Sequence, residues 1–447
     1  MVYELVYIDI RGLAEMMRLL LADQGIAFTE ERIGDLEKWK QMKAGFAFGQ
    51  VPCLKEGDKA LVQTGAIMRH LARKHNLYGK TEEEQTYADM FFECIRDIHV
   101  KYVTLIYYEY DVEGKKEKYI GEDLPQFLGQ LEKLFVSHQN GEKFVLGETL
   151  SFVDYALFEE LDIHLILDPH ALDKFPALKA FHGRFGARPS LKEYLEKRKA
   201  ANVKVNGNGK HPLPRRVLFN SYRSPCRHRA FRKAMPPKYE LIYFDIRGLA
   251  EQIRLLCADN DIPFTEKRIK TPEEWTKIKK QFSFGQVPCL KDDDAPIVQT
   301  GAIVRHLARK HNLYGRDEDD QCYADMFFEG IRDVHDKYVQ LMYKDYDTEG
   351  KKEEFLQTTL PTALDQIEKL FVTRQNGEHF VLGDKISFVD YALFEELDIF
   401  LILDPTTLDA FNSLKAFHKR INQRPSLKTY LDKRAADCVK VNWNGRQ

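Results

Sequence analysis

The 447 residues are 44% hydrophobic and 30% charged, the balance of a globular chain rather than a disordered one, and at about 150 residues per domain their length suggests roughly three domains. The formal net charge is −2, but residues 210–237 carry eight basic side chains and no acidic one, which leaves −10 elsewhere and makes the body a poor nucleic-acid surface. Apolar runs such as residues 19–22 fall far short of the roughly 18 residues of a membrane-spanning helix, which argues against a membrane protein.

The first residues alternate apolar and polar from 3 to 8 and predict a strand. Residues 13–24 place Leu13, Met17, Leu20 and Leu21 at helical spacing, and Gly25 supplies the stop. Short strand signals follow at 27–31, 51–54 and 60–62, then a helix over 65–76. This order predicts a small mixed sheet with helices on its faces. From about residue 82 the pattern is wholly helical. There Ser151-Phe-Val-Asp154 has the N-cap serine and the acidic third residue of a capping box.

The same text then begins again. Tyr3-Glu-Leu-Val-Tyr-Ile-Asp-Ile-Arg-Gly-Leu-Ala-Glu returns 236 residues later as Tyr239-Glu-Leu-Ile-Tyr-Phe-Asp-Ile-Arg-Gly-Leu-Ala-Glu. The register holds at Trp39/Trp275, Pro52/Pro288, Ser151/Ser387, Tyr194/Tyr430 and Val205/Val441. A unit of about 210 residues is too long for a solenoid repeat, so the chain is a complete protein duplicated. The predicted layout is an α/β domain (1–80), a helical domain (81–209), a basic linker (210–237), a second α/β domain (238–316) and a second helical domain (317–447).

Candidate chemistry collects in the α/β domains. Tyr7 ends the first strand, before the Arg11-Gly12 turn, at the strand end where open α/β sheets bind ligands; sharing a face with Tyr3 and Leu5, it reads by these residues alone more readily as core. Pro52 opens a strand, either as an ordinary edge-strand proline, the commoner case, or after a cis bond that exposes Val51 for pairing with an extended ligand. Thr64 is expected to cap the third helix, a common structural role that also makes a carboxylate site. His70 and His75, five apart and set among Arg69, Arg73 and Lys74, are expected on a solvated basic face. Neither a metal site nor a glycine-rich nucleotide loop is legible. The seven cysteines (Cys53, Cys94, Cys226, Cys257, Cys289, Cys322, Cys438) are odd in number and never in a CxxC pair, against a disulfide scaffold, a zinc ribbon or a dithiol redox site. With no secretory pattern in the opening residues, a reducing, cytoplasmic compartment is the expectation.

Together these marks resemble the cytosolic glutathione transferases, over both units. They are the strand-end tyrosine before Arg-Gly, Phe-Gly-Gln-Val-Pro from Phe48 to Pro52, Gln63-Thr64 before Arg-His-Leu, and Ser151-Phe-Val-Asp154. Tyr78-Gly79-Lys80 and Lys101-Tyr-Val-Thr-Leu-Ile-Tyr107 look most like the pi class. The resemblance implies, in each copy, a thioredoxin-like domain that holds glutathione and an all-helical domain that shapes an electrophile pocket. It implies that Tyr7 donates to the glutathione sulfur, that Trp39 and Lys43 meet the glycyl carboxylate, and that the Val51 backbone pairs with the cysteinyl part. Gln63 and Thr64, with Gln50 nearby, would hold the γ-glutamyl end, and Asp97 would reach its amine across a dimer interface. Ile8 and Tyr107 would line the electrophile pocket. The second copy keeps Tyr243, Trp275, Lys279, Gln286, Val287, Gln299, Thr300, Asp333 and Tyr343, with Phe244 in place of Ile8. No metal or cofactor is implied beyond glutathione as co-substrate. Phe48 and Phe284 occupy the place of an aromatic that plugs the partner subunit. Leu13 and Leu249 stand where many pi-class members carry a second cation near the sulfur, so weaker thiolate activation is expected.

The implied activity is conjugation of glutathione to hydrophobic electrophiles, a detoxification reaction; a non-catalytic binder of apolar ligands or of a protein partner on the same fold is the alternative. Because such proteins pair, the two copies are expected to form an intramolecular pseudo-dimer, or else homodimers between chains. A flexible linker of 28 residues spans about 30 Å root-mean-square and extends to roughly 90–100 Å, enough to join one unit's end to the other's start. That linker is a tether, a polyanion-binding or nuclear tag, or the joined-up reading of two adjacent genes, since Met235-Pro-Pro looks like a second start.

Overall fold

The structure, a computed structural model, describes residues 2–210 and 239–446. The basic stretch from Arg215 to Lys233, Cys226 and the Met235-Pro-Pro start lie outside the described residues. In the first copy β1 (Tyr3–Ile8) leads through a tight turn into α1 (Glu15–Asp23), then β2 (Phe28–Ile33), α2 (Leu36–Met42), β3 (Cys53–Glu56), β4 (Lys59–Val62) and α3 (Thr64–Lys74). The helical part follows as α4 (Glu82–Thr104), the short α5 (Lys115–Lys118), α6 (Leu124–Ser137), α7 (Phe152–Leu167), α8 (Pro176–Gly186) and α9 (Pro189–Ala200).

The second copy repeats this as β5 (Tyr239–Phe244), α10 (Glu251–Asp259), β6 (Phe264–Ile269), α11 (Pro272–Ile278), β7 (Cys289–Asp292), β8 (Ala295–Val298) and α12 (Thr300–Lys310). Its helical part is α13 (Glu318–Gln340), α14 (Lys351–Glu354), α15 (Leu360–Phe371), α16 (Phe388–Leu403), α17 (Asn412–Asn422) and α18 (Pro425–Ala436). No helix among the described residues is long and apolar enough to cross a membrane.

Each sheet runs in the order β2-β1-β3-β4, or β6-β5-β7-β8. The central strand pairs parallel with its α-linked neighbour (Tyr7 opposite Arg32) and antiparallel with β3 (Val6 opposite Cys53). Leu5 and Val6, pointing to opposite faces, are both fully buried, because helices cover the sheet on both sides. This puts Tyr7 at the carboxyl end of the middle strand, one residue before the pairing stops. The capping box opens α7 as its spacing predicts: Asp154 accepts from the Ser151 amide and hydroxyl (2.8 Å each) and from the Val145 amide (2.7 Å). The box therefore also ties the preceding loop to the buried helix.

The copies face each other through α3 and α4 of one against α13 and α12 of the other. Here the expected solvated basic face is overturned. Arg69 is fully buried, donating to Asp89 (2.8 Å) and Glu93 (2.7 Å) of its own copy and to Glu329 (3.2 Å) of the other. Arg305 repeats the pattern with Asp325, Glu329 and Glu93. Arg73 reaches Asp325, and Arg309 reaches Asp89. His70 is buried against Glu56, with its Nε2 at 3.0 Å from the carboxylate. A helix face rich in arginine reads as solvated only while the acids that neutralise it, some on the next helix of the same copy and some more than 200 positions away, are out of view.

Candidate active site

The turn after β1 fixes Tyr7. The Leu13 amide donates to the Tyr7 hydroxyl oxygen at 3.0 Å, leaving the O–H proton as the donor on offer. In the second copy Leu249 does the same for Tyr243 at 3.1 Å. The turn comes this close because Gly12 adopts φ +44°, and a Cβ there would sit 2.5 Å from the phenol oxygen. Burial pushes the Tyr7 phenol up to about 12, against the opposing pull of the Leu13 amide, so it stays a protonated donor at neutral pH. Tyr243 is likewise pushed up to about 12.

Gly12→Ala is expected to displace the phenol. In a chain silenced at the other site by Tyr243→Phe, kcat/KM should fall about ten-fold, since a left-handed non-glycine residue and the clash together cost about 1–3 kcal/mol.

Arg18, which the sequence pattern did not single out, holds the same turn from beneath. Its guanidinium donates to the carbonyls of Ile10 (3.0 Å) and Arg11 (3.1 Å) and lies 5.9 Å from the Tyr7 ring centroid. The signal was an arginine in the buried stripe beside Leu19–Leu21, where an unpaired charge would not be tolerated.

The polar cluster lies between β4 and α3. Gln63, not Thr64, is the N-cap of α3; Thr64 is its first helical residue. Gln63 has φ 69° and ψ 115°, and Gln299 repeats this at 71° and 116°. A non-glycine residue rarely adopts this backbone conformation, and the two copies hold it alike. The Gln63 amide donates to the Gln50 side-chain oxygen (2.9 Å) and to Asp333 of the other copy (3.0 Å), and Gln50 also donates to Asp333 (3.2 Å). In the mirror site Gln299 donates to Gln286 (3.2 Å) and to Asp97 (2.9 Å). Each cluster is thus completed by an aspartate from the opposite copy. Desolvation raises the Asp97 carboxyl, with Gln299 opposing.

The residues around these centres fall into place unevenly. Trp39 stacks on Phe46 at 6.1 Å, and Trp275 on Phe282 at 5.9 Å. Lys43 and Lys279 lie along the Gly49 and Gly285 turns, where a Cβ would meet their Cε at 3.0 and 3.1 Å. Lys43 and Thr64 share no hydrogen bond with the glutamine cluster among the described residues. Val51 and Val287 form bends outside the strand pairing, and the bonds to Pro52 and Pro288 are cis, not the commoner trans form. Tyr107 sits in a wide π-helical turn (Leu105–Glu109) after α4 and accepts from the Gly207 amide at 3.0 Å. It is near enough to Tyr7 to raise that phenol further. Ile8, at the end of β1, is 39% exposed.

Phe48 does plug the other copy. It is 7% exposed at φ 58°, and a Cβ added to Gly330 of α13 would come within 2.2–2.8 Å of its ring. The turn that carries the buried Phe284 (Ser283–Gly285) meets α6 of the first copy in return. Among the described residues no group of three or more His, Cys, Asp or Glu side chains is placed to hold a metal ion.

The family description "Glutathione S-transferase, N-terminal domain" matches residues 3–73 and 239–309, and "Glutathione S-transferase, C-terminal domain" matches 96–198 and 332–434. "Glutathione S-transferase 2" of Onchocerca volvulus is 57% identical over 210 residues, 47% of this chain and 100% of that protein. "Glutathione S-transferase P" of Caenorhabditis elegans is 55% identical over the same shares. A solved pi-class glutathione S-transferase of Onchocerca volvulus aligns over 47% of this chain and 99% of that one, at 55% identity and a TM-score of 0.46. Matched twice by both domain descriptions, and by whole relatives within half its length, the chain belongs to the glutathione S-transferase family.

Proposed function

We propose that the chain is a glutathione transferase with two composite active sites, each completed by the other copy. Tyr7 and Tyr243 act on the sulfur; Trp39, Lys43, Val51, Gln63 and Thr64, with Trp275, Lys279, Val287, Gln299 and Thr300, hold the tripeptide. The observation that carries this reading is the pair of phenols held by a backbone amide at the strand end, together with one glutamine–aspartate cluster per site suited to an α-amino acid. An ammonium group satisfies the aspartate, and the α3 N-terminus suits the carboxylate.

A thiol of pKa about 8.5 is only about 3% ionised at pH 7. Lowering it by about two units takes about 2.7 kcal/mol of preference for the thiolate. One hydrogen bond to a charged group supplies roughly 1.5–3 kcal/mol. The thiolate, its proton released to water, then attacks an electrophilic carbon in the pocket beside Ile8 and Tyr107, or Phe244 and Tyr343; the C–S bond forms as a leaving group such as chloride departs, or as the electron pair of a conjugated acceptor shifts and takes up a proton from water. The non-catalytic alternative finds no support, because a pure binder has no need of both phenols in this setting.

The reading extends to an intramolecular pseudo-dimer, to the domain division at residues 80/81 and 316/317, and to detoxification of hydrophobic electrophiles in the cytoplasm, where glutathione keeps thiols reduced. The cross-copy assignment has a direct test. With the second site silenced by Tyr243→Phe, Asp333→Ala is expected to raise the KM for glutathione about ten-fold. Asp97→Ala does the same to the second site in a Tyr7→Phe chain. If each aspartate instead governs the site of its own copy, the assignment falls.

A further inference from the structure

The copies differ where the chain's C-terminal tails meet the pocket. In both, a tail amide donates to the pocket tyrosine: Gly207 to Tyr107 at 3.0 Å and Trp443 to Tyr343 at 3.1 Å. The backbone course is the same; the side chains are not. The Trp443 ring lies 5.1 Å from Phe244, tilted by 50°. Phe244 in turn meets Tyr243 at 5.6 Å and Trp275 at 5.3 Å, both edge-on. With Tyr343 beside it, the second pocket has a continuous aromatic wall from the phenol to the tail. The first pocket has Ile8 in place of Phe244 and nothing in place of Trp443.

No backbone requirement explains the glycine. Gly207 has no left-handed φ, and a Cβ there would meet only the Tyr107 hydroxyl at 3.7 Å, an ordinary contact. A side chain fits at that position, so the contrast lies in the pocket wall and not in the fold. Trp443 is still 38% exposed after packing on Phe244, which leaves ring surface for a ligand.

Building on the transferase reading above, we infer that Trp443 and Phe244 make the second site selective for flat aryl electrophiles, while the first, open at Gly207, takes aryl and alkyl electrophiles alike. The physical basis is the ring quadrupole. An edge-to-face or offset partner for an aryl group adds to its area burial, and a linear alkyl chain gains only the burial. Trp443 is held by its own amide and by Phe244, so the wall is set before the ligand arrives.

The test compares the two sites in one chain. With Tyr7→Phe and Tyr243→Phe silencing one site each, kcat/KM is measured for a nitrated aryl chloride and for a linear alkenal. The aryl-to-alkenal ratio is expected to be about five-fold higher at the second site. Trp443→Gly alone should lower that ratio, Trp443→Gly with Phe244→Ile should bring it to the value of the first site, and Ile8→Phe with Gly207→Trp should raise the first to the value of the second. Equal ratios at the two sites, or a ratio untouched by Trp443→Gly, overturn the inference.

A binding arm is independent of turnover. Calorimetric titration with an S-aryl glutathione should show two classes of site about five-fold apart, merging into one when Trp443→Gly is combined with Phe244→Ile, while an S-alkyl glutathione shows one class throughout. Intact binding with no turnover anywhere removes the transferase reading alone. A single class for the aryl conjugate in the unmodified chain removes the present inference alone.

Discussion

Replacing Tyr7 and Tyr243 together by Phe is expected to lower kcat/KM about 10- to 100-fold, with glutathione still bound. The change deletes one oxygen at each strand end and leaves a ring of nearly the same shape in the same packing. On the proposed role, what is lost is a hydrogen bond to charged sulfur, about 1.5–3 kcal/mol. Either single change leaves the other site working, so roughly half the rate should remain if the two sites turn over alike.

The pH profile gives the sign. On the proposed role the phenol lowers the thiol pKa, so the unmodified chain is expected to keep its rate as pH falls until that lowered value is passed. In the double variant the rising limb moves up towards the free thiol value of about 8.5. Burial pushes both phenols up to about 12, so tyrosine ionisation adds no falling limb in the neutral or mildly alkaline range. The measurement is the ultraviolet thiolate band of bound glutathione against pH, in parallel with the rate. An unmodified chain whose bound thiol titrates like free glutathione would show that Leu13 and Leu249, standing where a second cation is common in the pi class, leave too little activation.

Arg69→Met should destabilise the chain by about 3–5 kcal/mol, the largest stability effect expected of a single change here. Arg69 lies among Asp89, Glu93 and Glu329, all within 2.7–3.2 Å and all buried. Removing it leaves acids of both copies with less counter-charge than burial demands. Because the cluster joins the two copies, the loss should appear both in the urea midpoint and in weaker cohesion between them.

The same groups set an acid limit. Against desolvation, Arg69 and Arg309 hold the Asp89 carboxyl below its ordinary range, and Arg305 and Arg73 do so for Asp325. Desolvation notwithstanding, Arg332 and Arg69 hold Glu93 well below its own. Groups with depressed native pKa values stabilise fully above their unfolded values of about 3.9 for Asp and 4.3 for Glu, and that contribution is lost as pH falls through the native values. The urea midpoint should therefore be level near neutrality and fall below about pH 4, with a shallower acid limb in Arg69→Met. A midpoint that is flat down to pH 3 would remove the cluster from the list of stabilising features.

Much of this protein lies in local spacing and was determined by the sequence alone. The duplication, the strand ending at Tyr7, the α/β-then-helical order and the Ser151–Asp154 capping box each depend on residues within a few positions or on a constant register of 236. The family marks are of that kind, and so are the candidate phenols. Helix ends were less exact: Leu13 falls in a tight turn before α1, and Gln63 rather than Thr64 caps α3.

Only the tertiary structure decided the rest. It paired Asp333 with Gln63 and Asp97 with Gln299, buried the Arg69 and His70 face, seated Phe48 over Gly330, and brought Trp443 onto Phe244. Each of these contacts joins groups that no local pattern relates, most of them from different copies. Their chemistry is set by desolvation and by the counter-charge or ring that packing supplies, quantities that exist only once distant segments meet.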